Sequence, residues 1–548
     1  MYKLFSVSIA IFLLPLWALA EGGDADAISD LKIGENFRIF PSNTTQTEVF
    51  ISVHPSDPDI MFSSANTIVF NPFFISEGVY ATTDGGNSWF GNDSCLGEPI
   101  QFHGGDPGIA IDKNGTFILT RLGRTPFAGL YSHFSTDMGR TWSFQQTVTT
   151  DDLERAAVAT DGNPLSNYYG RTYAAWVRFT NPFPMFFAAT DDGAASWSSP
   201  RQINNPTVRN TGGDIDIDTD GNVAVCWAGV TSVSPFTEIF CGFAKSTDGG
   251  DSWTVQESAF NMNGIQGLLP EKQNIRVNGQ PRIAIDKSGG SRHGWIYIIT
   301  TQKNMLPAGS DPDIILNRST DGGSSWSAGI RVNQDALNNG KIQYFPAIEV
   351  DNGGGVNIVY YDDRNTSSDS SGVFLSRSLD GGETWHESEI SDHRFKPTPI
   401  GGLGQGYQGD NIDIAETNNT LWPVWMDNSS GVYQLWTAPL ELSAVQIEPA
   451  HRLLPETFDL RQNAPNPFNP STVIQYRLAT AGRVTLTVYD VKGKVVENLV
   501  NSYQQAGEYS ATFAAYSQQS YGSLPSGIYF YKLTVGGNAK VRSMLLLK

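Results

Sequence analysis

Six carboxylates stand at matching places in one recurring octapeptide: Thr82–Trp89 (TTDGGNSW), Ser135–Trp142 (STDMGRTW), Thr190–Trp197 (TDDGAASW), Ser246–Trp253 (STDGGDSW), Ser319–Trp326 (STDGGSSW) and Ser378–Trp385 (SLDGGETW). A carboxylate between two hydroxyls is equipped for general acid–base work or for an oxygen-ligated cation. It is equally suited to a tight turn, where the Asp accepts backbone N–H groups, Gly supplies positive φ and Trp plugs the strand that follows. A chain needs a turn in every repeat but seldom a catalytic group in every repeat. Asp84, Asp137, Asp192, Asp248, Asp321 and Asp380 therefore read as structural, and the chemistry must be sought elsewhere.

The central Asp recurs after 53, 55, 56, 73 and 59 residues. A period of this length fits four short strands and their turns, the unit of a propeller blade. Alternating runs broken by D-x-G or N-G precede the octapeptides, as in GIAIDKNGTFILTR (108–121) and AIEVDNGGGVNIVYY (347–361), and read as hairpins. Each unit is then four strands, with the octapeptide as the turn between the third and the fourth. Seven hairpins can be counted against six octapeptides. The orphan strand NFRIFP (36–41) is expected to complete the seventh unit, since a ring must close its last sheet or leave an edge exposed.

In such a unit the first and third turns share one face. The opposite face is lined by residues just before each first strand and just after each second strand. These include Glu48, Asp106, Glu154, Arg155, Asp214, Arg282, Tyr407 and Asp410 on one side, and Arg364, Trp425 and Asp427 on the other. A ring of charged and aromatic residues at a channel mouth suits a sugar or glycan.

The formal charge of -20 argues against nucleic acid or an anionic membrane as partner. Residues 1–20 read as a signal peptide, with Lys3, an apolar run from Leu4 to Leu19 and Ala18-Leu19-Ala20 for cleavage. No later stretch is long and apolar enough to span a bilayer, so the mature chain is expected to carry no transmembrane segment. Cys226 and Cys241 sit in neighbouring strand-like runs, where a bridge is open to them, and Cys95 is left over. Zinc spacing is absent. Asp214, Asp216 and Asp218 share one side of a strand and leave structural calcium open, although a strand ending in an Asp-Gly turn accounts for them more simply. No other cofactor is expected. Residues 441–463 read as a linker, and 464–548 as a small all-β sandwich of the Ig-like kind.

The octapeptide resembles the Asp-box, or BNR repeat, of sialidase-like β-propellers. The resemblance covers about residues 32–440 and implies a β-propeller with the Asp-boxes structural and opposite the active site; the hairpin count makes it seven-bladed, the alternative being six blades as in known sialidases. APNPFNP (464–470), VYD (488–490), Gly493, SGIY (526–529) and the tail from Lys540 to Lys548 resemble the type A sorting domain of the type IX secretion system. That likeness implies the secretion machinery as partner, and delivery outside a Bacteroidetes-like bacterium or to its surface.

The sialidase resemblance also implies roles. GYQGDNIDI (406–414) is similar to the segment carrying that family's nucleophile, which singles out Tyr407. Glu271 would assist it and Asp106 would act as the acid. Arg155, Arg282 and Arg364 would grip a carboxylate, and Trp425 would contact the sugar. The family's first arginine motif is departed from: Phe37-Arg38-Ile39-Phe40-Pro41 is one residue longer and falls on an outer strand. Two functions follow. One is a secreted glycoside hydrolase acting on sialic-acid-type or other glycans. The other is a non-catalytic propeller that binds a glycan or protein.

Overall fold

A computed structural model describes residues 31–95, 103–442, 458–478, 482–504, 507–515, 524–535 and 538–548. The signal segment and most of the linker lie outside the described residues. The chain divides into two compact units, Met1–Ser443 and Ala444–Lys548. Among the described residues the only helix is a single 3-10 turn, Pro270–Lys272, and the protein is all-β.

Among the described residues the first unit contains seven antiparallel sheets of four or more strands and one two-stranded hairpin. Sheet I consists of Thr45–Val53, Met61–Phe70, Phe73–Thr82 and Phe90–Asn92. Sheets II to VI repeat the pattern, with first strands His103–Ile111, Ala157–Thr160, Asn210–Ile217, Arg282–Ile285 and Gln343–Val350. Sheet VII begins at Asp413–Thr417 and continues through Thr420–Asp427 and Gln434–Thr437. Each first strand packs against the first strand of the next sheet, and that of sheet VII returns to that of sheet I. A channel of about 790 Å3 runs between them, lined by first strands of all seven sheets.

The seventh sheet takes its outer strand from the N-terminus. Phe37 and Arg38 pair with Thr437 and Trp436. A second segment, Leu31–Ile33, pairs with Leu440–Leu442, so the sheet runs past residue 440, where the sequence placed its end. The outer segment is anchored in the interior as well as covering an edge: Ile39 is in the core, and the Asn36 amide donates to Ile390 O and accepts from Asp392 N, both at 2.9 Å.

The six octapeptide turns share one geometry. In Asp321 one carboxylate oxygen accepts the Ser319 hydroxyl at 2.8 Å and the Ser325 N–H at 2.9 Å, while the other accepts the Ser325 hydroxyl at 2.6 Å. The fifth position stands at positive φ and close to the preceding sheet: a Cβ on Gly323 would lie 2.2 Å from the Phe243 ring. The Trp then docks on that neighbour, Trp326 on Phe243 and Trp253 on Phe187, each at 5.1 Å between centroids. These turns lie at the end where the first hairpins turn, as the bond from Gly85 N to Asp59 O shows.

Cys226 and Cys241 are free and buried, with no bridge. The Asp string is taken up by pairing: Asp214 meets Arg282 at 3.2 Å, Asp216 meets Lys287 at 2.6 Å, and Asp218 accepts the N–H groups of its own turn. Among the described residues no cluster is placed to hold a metal ion. Within the span read as linker, Asp459 and Leu460 pair with Arg477 and Tyr476 of the second unit.

That second unit holds a three-stranded sheet, Asp459–Leu460, Ser471–Leu478 and Gly507–Ala514, and a four-stranded sheet, Val495–Gln504, Gly482–Tyr489, Gly527–Val535 and Asn538–Leu546. Alternate residues such as Ile474, Tyr476, Leu486, Tyr531 and Leu533 form its core, the period-2 pattern of strands with one wet face.

Candidate functional site

Four of the seven first strands carry the same irregularity near their starts. Two residues on the first strand oppose one on the second, between Thr47 and Phe50, Gly105 and Gly108, Thr211 and Asp214, and Tyr344 and Ala347. The leading bulge residues, Glu48, Asp106, Gly212 and Phe345, all have φ between 50° and 63°. Left-handed backbone costs a non-glycine residue about 1–3 kcal/mol, and bulges re-aim side chains. The effect here is to turn Glu48 and Asp106 into a shared cavity at the channel mouth, away from the octapeptide turns.

That cavity, of about 250 Å3, is lined by Glu48, Asp106, Glu154, Arg155, Gly212, Gly213, Arg276, Gln280, Tyr407, Asp410 and Asn411. The Tyr407 hydroxyl stands 3.2 Å from both Thr47 Oγ1 and Asn66 Nδ2. The Asn66 amide also donates to Asp106 Oδ1 at 3.3 Å and accepts from Asp106 N at 2.7 Å. Arg276 pairs with Asp410 at 3.1 Å and lies over the Tyr407 ring.

Burial sets the protonation. It pushes the Glu48 carboxyl well above the ordinary range, with Asp106 and Asp410 adding to it. Asp106 rises for the same first reason. Glu154 is pushed up to about 7 by burial and by the charges of Asp106 and Asp410. Burial and the neighbouring Glu48 and Asp106 also raise the Tyr407 hydroxyl. Glu154, partly protonated near neutral pH, can give a proton as well as take one.

The structure brings together Tyr407, Asp106 and Arg155 of the residues expected from sequence. Arg282 sits deeper, in the channel, with its charge answered by Asp214 and by Asp413 at 3.3 Å. Three candidates are removed from the site. Glu271 is exposed on the 3-10 turn outside the cavity; its neighbour Lys272 is buried against Asp363 at 2.5 Å and fixes that turn. Arg364 lies toward the outer edge of sheet VI, paired with Asp362 at 2.6 Å and Glu387 at 2.5 Å. Trp425 is fully buried and donates its indole N–H to Asp427 at 2.9 Å. The proximity of Glu48 makes it the carboxyl beside Tyr407 in place of Glu271.

Arg276 was not singled out by sequence. It sits on an added hairpin, Gly267–Leu269 and Ile275–Val277, after sheet IV. The signal was the 73-residue gap between Asp248 and Asp321, the longest of the five. The hairpin is stitched to the loop before sheet VII by Arg276 N donating to Gly406 O at 2.7 Å, next to Tyr407.

The chain is thus an all-β ring of sheets with a charged mouth, followed by a second all-β unit. Residues 464–547 match the secretion system C-terminal sorting domain. No curated protein matches the chain. Among solved structures, an ulvan lyase bound to -[GlcA(1-4)Rha3S]- is similar with a TM-score of 0.50 and 11% identity over 75% of this chain and 96% of that one. A protein of unknown function from Dyadobacter fermentans has a TM-score of 0.43 and 12% identity over 76% of this chain and 100% of its own. A Hadza microbial sialidase has a TM-score of 0.39 and 15% identity over 70% and 74%. The likeness to the lyase is one of fold. The sorting domain implies export by its secretion machinery, and among the described residues no helix is long and apolar enough to cross a membrane.

Proposed function

We propose that the first unit is a seven-bladed propeller of the sialidase-like, Asp-box kind that cleaves glycosidic bonds outside the cell, and that the second is an Ig-like sandwich that delivers it there after removal of residues 1–20. The observation that carries the reading is the Tyr407 hydroxyl set among Glu48, Asp106 and Glu154 in one cavity. Glu154, near pH 7 in its titration, holds a proton to give to a leaving oxygen. In its ionised form Glu48, which shares the cavity with Tyr407, receives the proton of Tyr407 or of a water as attack begins. Arg155, Arg276 and Gln280 supply donors to sugar hydroxyls.

A carboxylate grip of three arginines is not what these residues offer. Four carboxyl groups line the cavity against two guanidinium groups, and Asp410 already answers Arg276. That balance favours a neutral sugar over an acidic one at this position. A second reading, a glycan-binding propeller without turnover, is supported by the raised Tyr407 hydroxyl, which gives up its proton reluctantly.

The test is a panel of 4-methylumbelliferyl glycosides, neutral sugars and a sialoside together, with wild type, Tyr407→Phe and Glu154→Gln. Hydrolysis of a neutral glycoside, lost in both variants at unchanged melting temperature, is the expected result. Hydrolysis of the sialoside alone overturns the neutral preference. Glycan binding with no hydrolysis anywhere establishes the second reading.

A further inference from the structure

The loops joining second to third strands lie on the cavity side of the ring, and four of them contain Pro-Phe: Pro72-Phe73, Pro126-Phe127, Pro182-Phe183 and Pro235-Phe236. In sheets III and IV these rings share one cation. The Arg209 guanidinium lies between Phe183 and Phe236, 4.4 and 4.5 Å from their centroids. Sheet I differs. Its second and third strands run outward as a ribbon ending in Val69, Phe70, Phe73 and Phe74, which are 42%, 45%, 47% and 43% exposed. Phe70 and Phe73 face each other across the ribbon at 6.2 Å, and the Arg124 guanidinium from sheet II lies 5.1 Å from the Phe73 centroid. A strip of large apolar side chains left uncovered at one point of a surface marks a binding region.

Its position says what would bind. Asn66, in the same strand as Phe70, is the residue that bonds both Tyr407 and Asp106. At the rise of a strand, Phe70 stands about 13 Å further out along it. On its other side Phe70 borders the glycine-rich loop that leads into Tyr407: a Cβ on Gly402 would be 3.8 Å from its ring. The strip is thus continuous with the cavity rim. A sugar ring has a face of C–H bonds and an edge of hydroxyls, which matches flat aromatic rings beside an arginine with its forked donors.

We infer that Phe70 and Phe73, with Arg124, form a platform for successive sugar rings of the same glycan chain whose end enters the cavity, so that the natural substrate is a polysaccharide or long oligosaccharide. The inference rests on the glycan-cleaving reading and deepens it.

The test compares wild type with a Phe70→Ala/Phe73→Ala double variant. Affinity electrophoresis in gels containing laminarin, xylan, arabinan or polysialic acid reads polymer binding. Turnover is read on the best polymer and on the best 4-methylumbelliferyl glycoside. Because both rings are exposed, the melting temperature should hold. Without the two rings to stack on, polymer binding should weaken by about tenfold or more, with a matching rise in KM on polymer and unchanged turnover of the small glycoside. Equal binding and turnover of polymer by both proteins would overturn the platform while leaving the glycan reading intact. Equal loss on polymer and small glycoside would overturn it too, by showing that the ribbon supports the cavity. Vesicle binding that the double variant loses, with polymer binding kept, would assign the strip to membrane. A wild type that neither binds nor cleaves any of the glycans would sink the glycan reading and the platform with it.

Discussion

The guanidinium of Arg276 lies 5.4 Å from the centroid of the Tyr407 ring while its fork pairs with Asp410 at 3.1 Å. One side chain, carried on a hairpin outside the repeat pattern, thereby fixes both the tyrosine and the carboxylate. Arg276→Ala should lower kcat/KM at least tenfold on whichever glycoside the wild type cleaves. Stability should fall by only about 1 kcal/mol, the scale of one partly exposed ion pair and one cation–π contact. Arg276→Lys should recover stability more than activity, because a point charge lacks the planar guanidinium that covers the ring while one of its nitrogens meets Asp410. Full activity in Arg276→Ala would remove this residue from the site.

How much of this was legible depends on what each feature answers to. The sheet order follows from period-2 alternation and turn chemistry, which are local, so the repeat could be read from the octapeptides and hairpins, and the N-terminal strand of the last sheet from the seventh hairpin left without an octapeptide and the orphan run 36–41. Of the cavity lining, Tyr407, Asp106, Arg155, Glu154 and Asp410 stood among the mouth residues because strand ends map onto one face, and the roles assigned to the first three came from the family resemblance. Glu271, Arg364 and Trp425 are not in the cavity, for three different reasons. Glu271 lies on an insertion whose direction no periodicity fixes. Arg364 is beside Asp362 and Glu387, which claim it first. Trp425 occupies a strand end whose side chain points into the core. Glu48 stood among the mouth residues, but its place beside Tyr407 depends on a bulge, and one extra residue in a strand leaves no mark on hydrophobic pattern.

If Glu154 is the proton donor, activity should follow its titration. Its carboxyl is pushed up to about 7 by burial first and by Asp106 and Asp410 next. It is therefore protonated below that pH and ionised above it. The plot of kcat/KM against pH should fall on its alkaline side with a midpoint near 7. Glu154→Gln should abolish that limb and lower the plateau by about 100- to 10,000-fold, the size usual for general acid catalysis. An unchanged alkaline limb in the variant would assign the titration to another group.

Closure of the ring by its two chain ends predicts a particular weakness. Asn36→Ala removes a buried amide that bonds Ile390 O and Asp392 N and should cost about 1–3 kcal/mol. Removing residues 31–41 should do more, uncovering the outer edge of sheet VII along Gln434–Thr437 and Leu440–Leu442 and promoting aggregation through unpaired strand groups. Melting temperature and light scattering on both variants check this. A deletion that melts like the wild type and stays monomeric would mean that the last sheet closes without the N-terminus.

The octapeptide turns predict a sensitivity to acid that is separate from catalysis. The Ser325 hydroxyl and N–H and the Ser319 hydroxyl hold Asp321 down to about 2, below the ordinary value of about 4 for an aspartate. A group whose folded-state value is lowered adds stability above its unfolded value, and loses that contribution as pH falls through the folded value. Asp248 and Asp380 are likewise held at about 2, and Asp84, Asp137 and Asp192 are lowered by the same partners. The first unit should thus lose stability progressively between about pH 4 and pH 2 as the turns take up protons. Asp321→Asn should melt below the wild type at pH 7, by a margin that is constant down to about pH 5 and narrows toward pH 2. Because Asp321 lies at the end of the ring away from Tyr407, kcat/KM per folded molecule should not change. A margin that widens on acidification, or lost activity in a fully folded Asp321→Asn protein, would refute the assignment of the two faces.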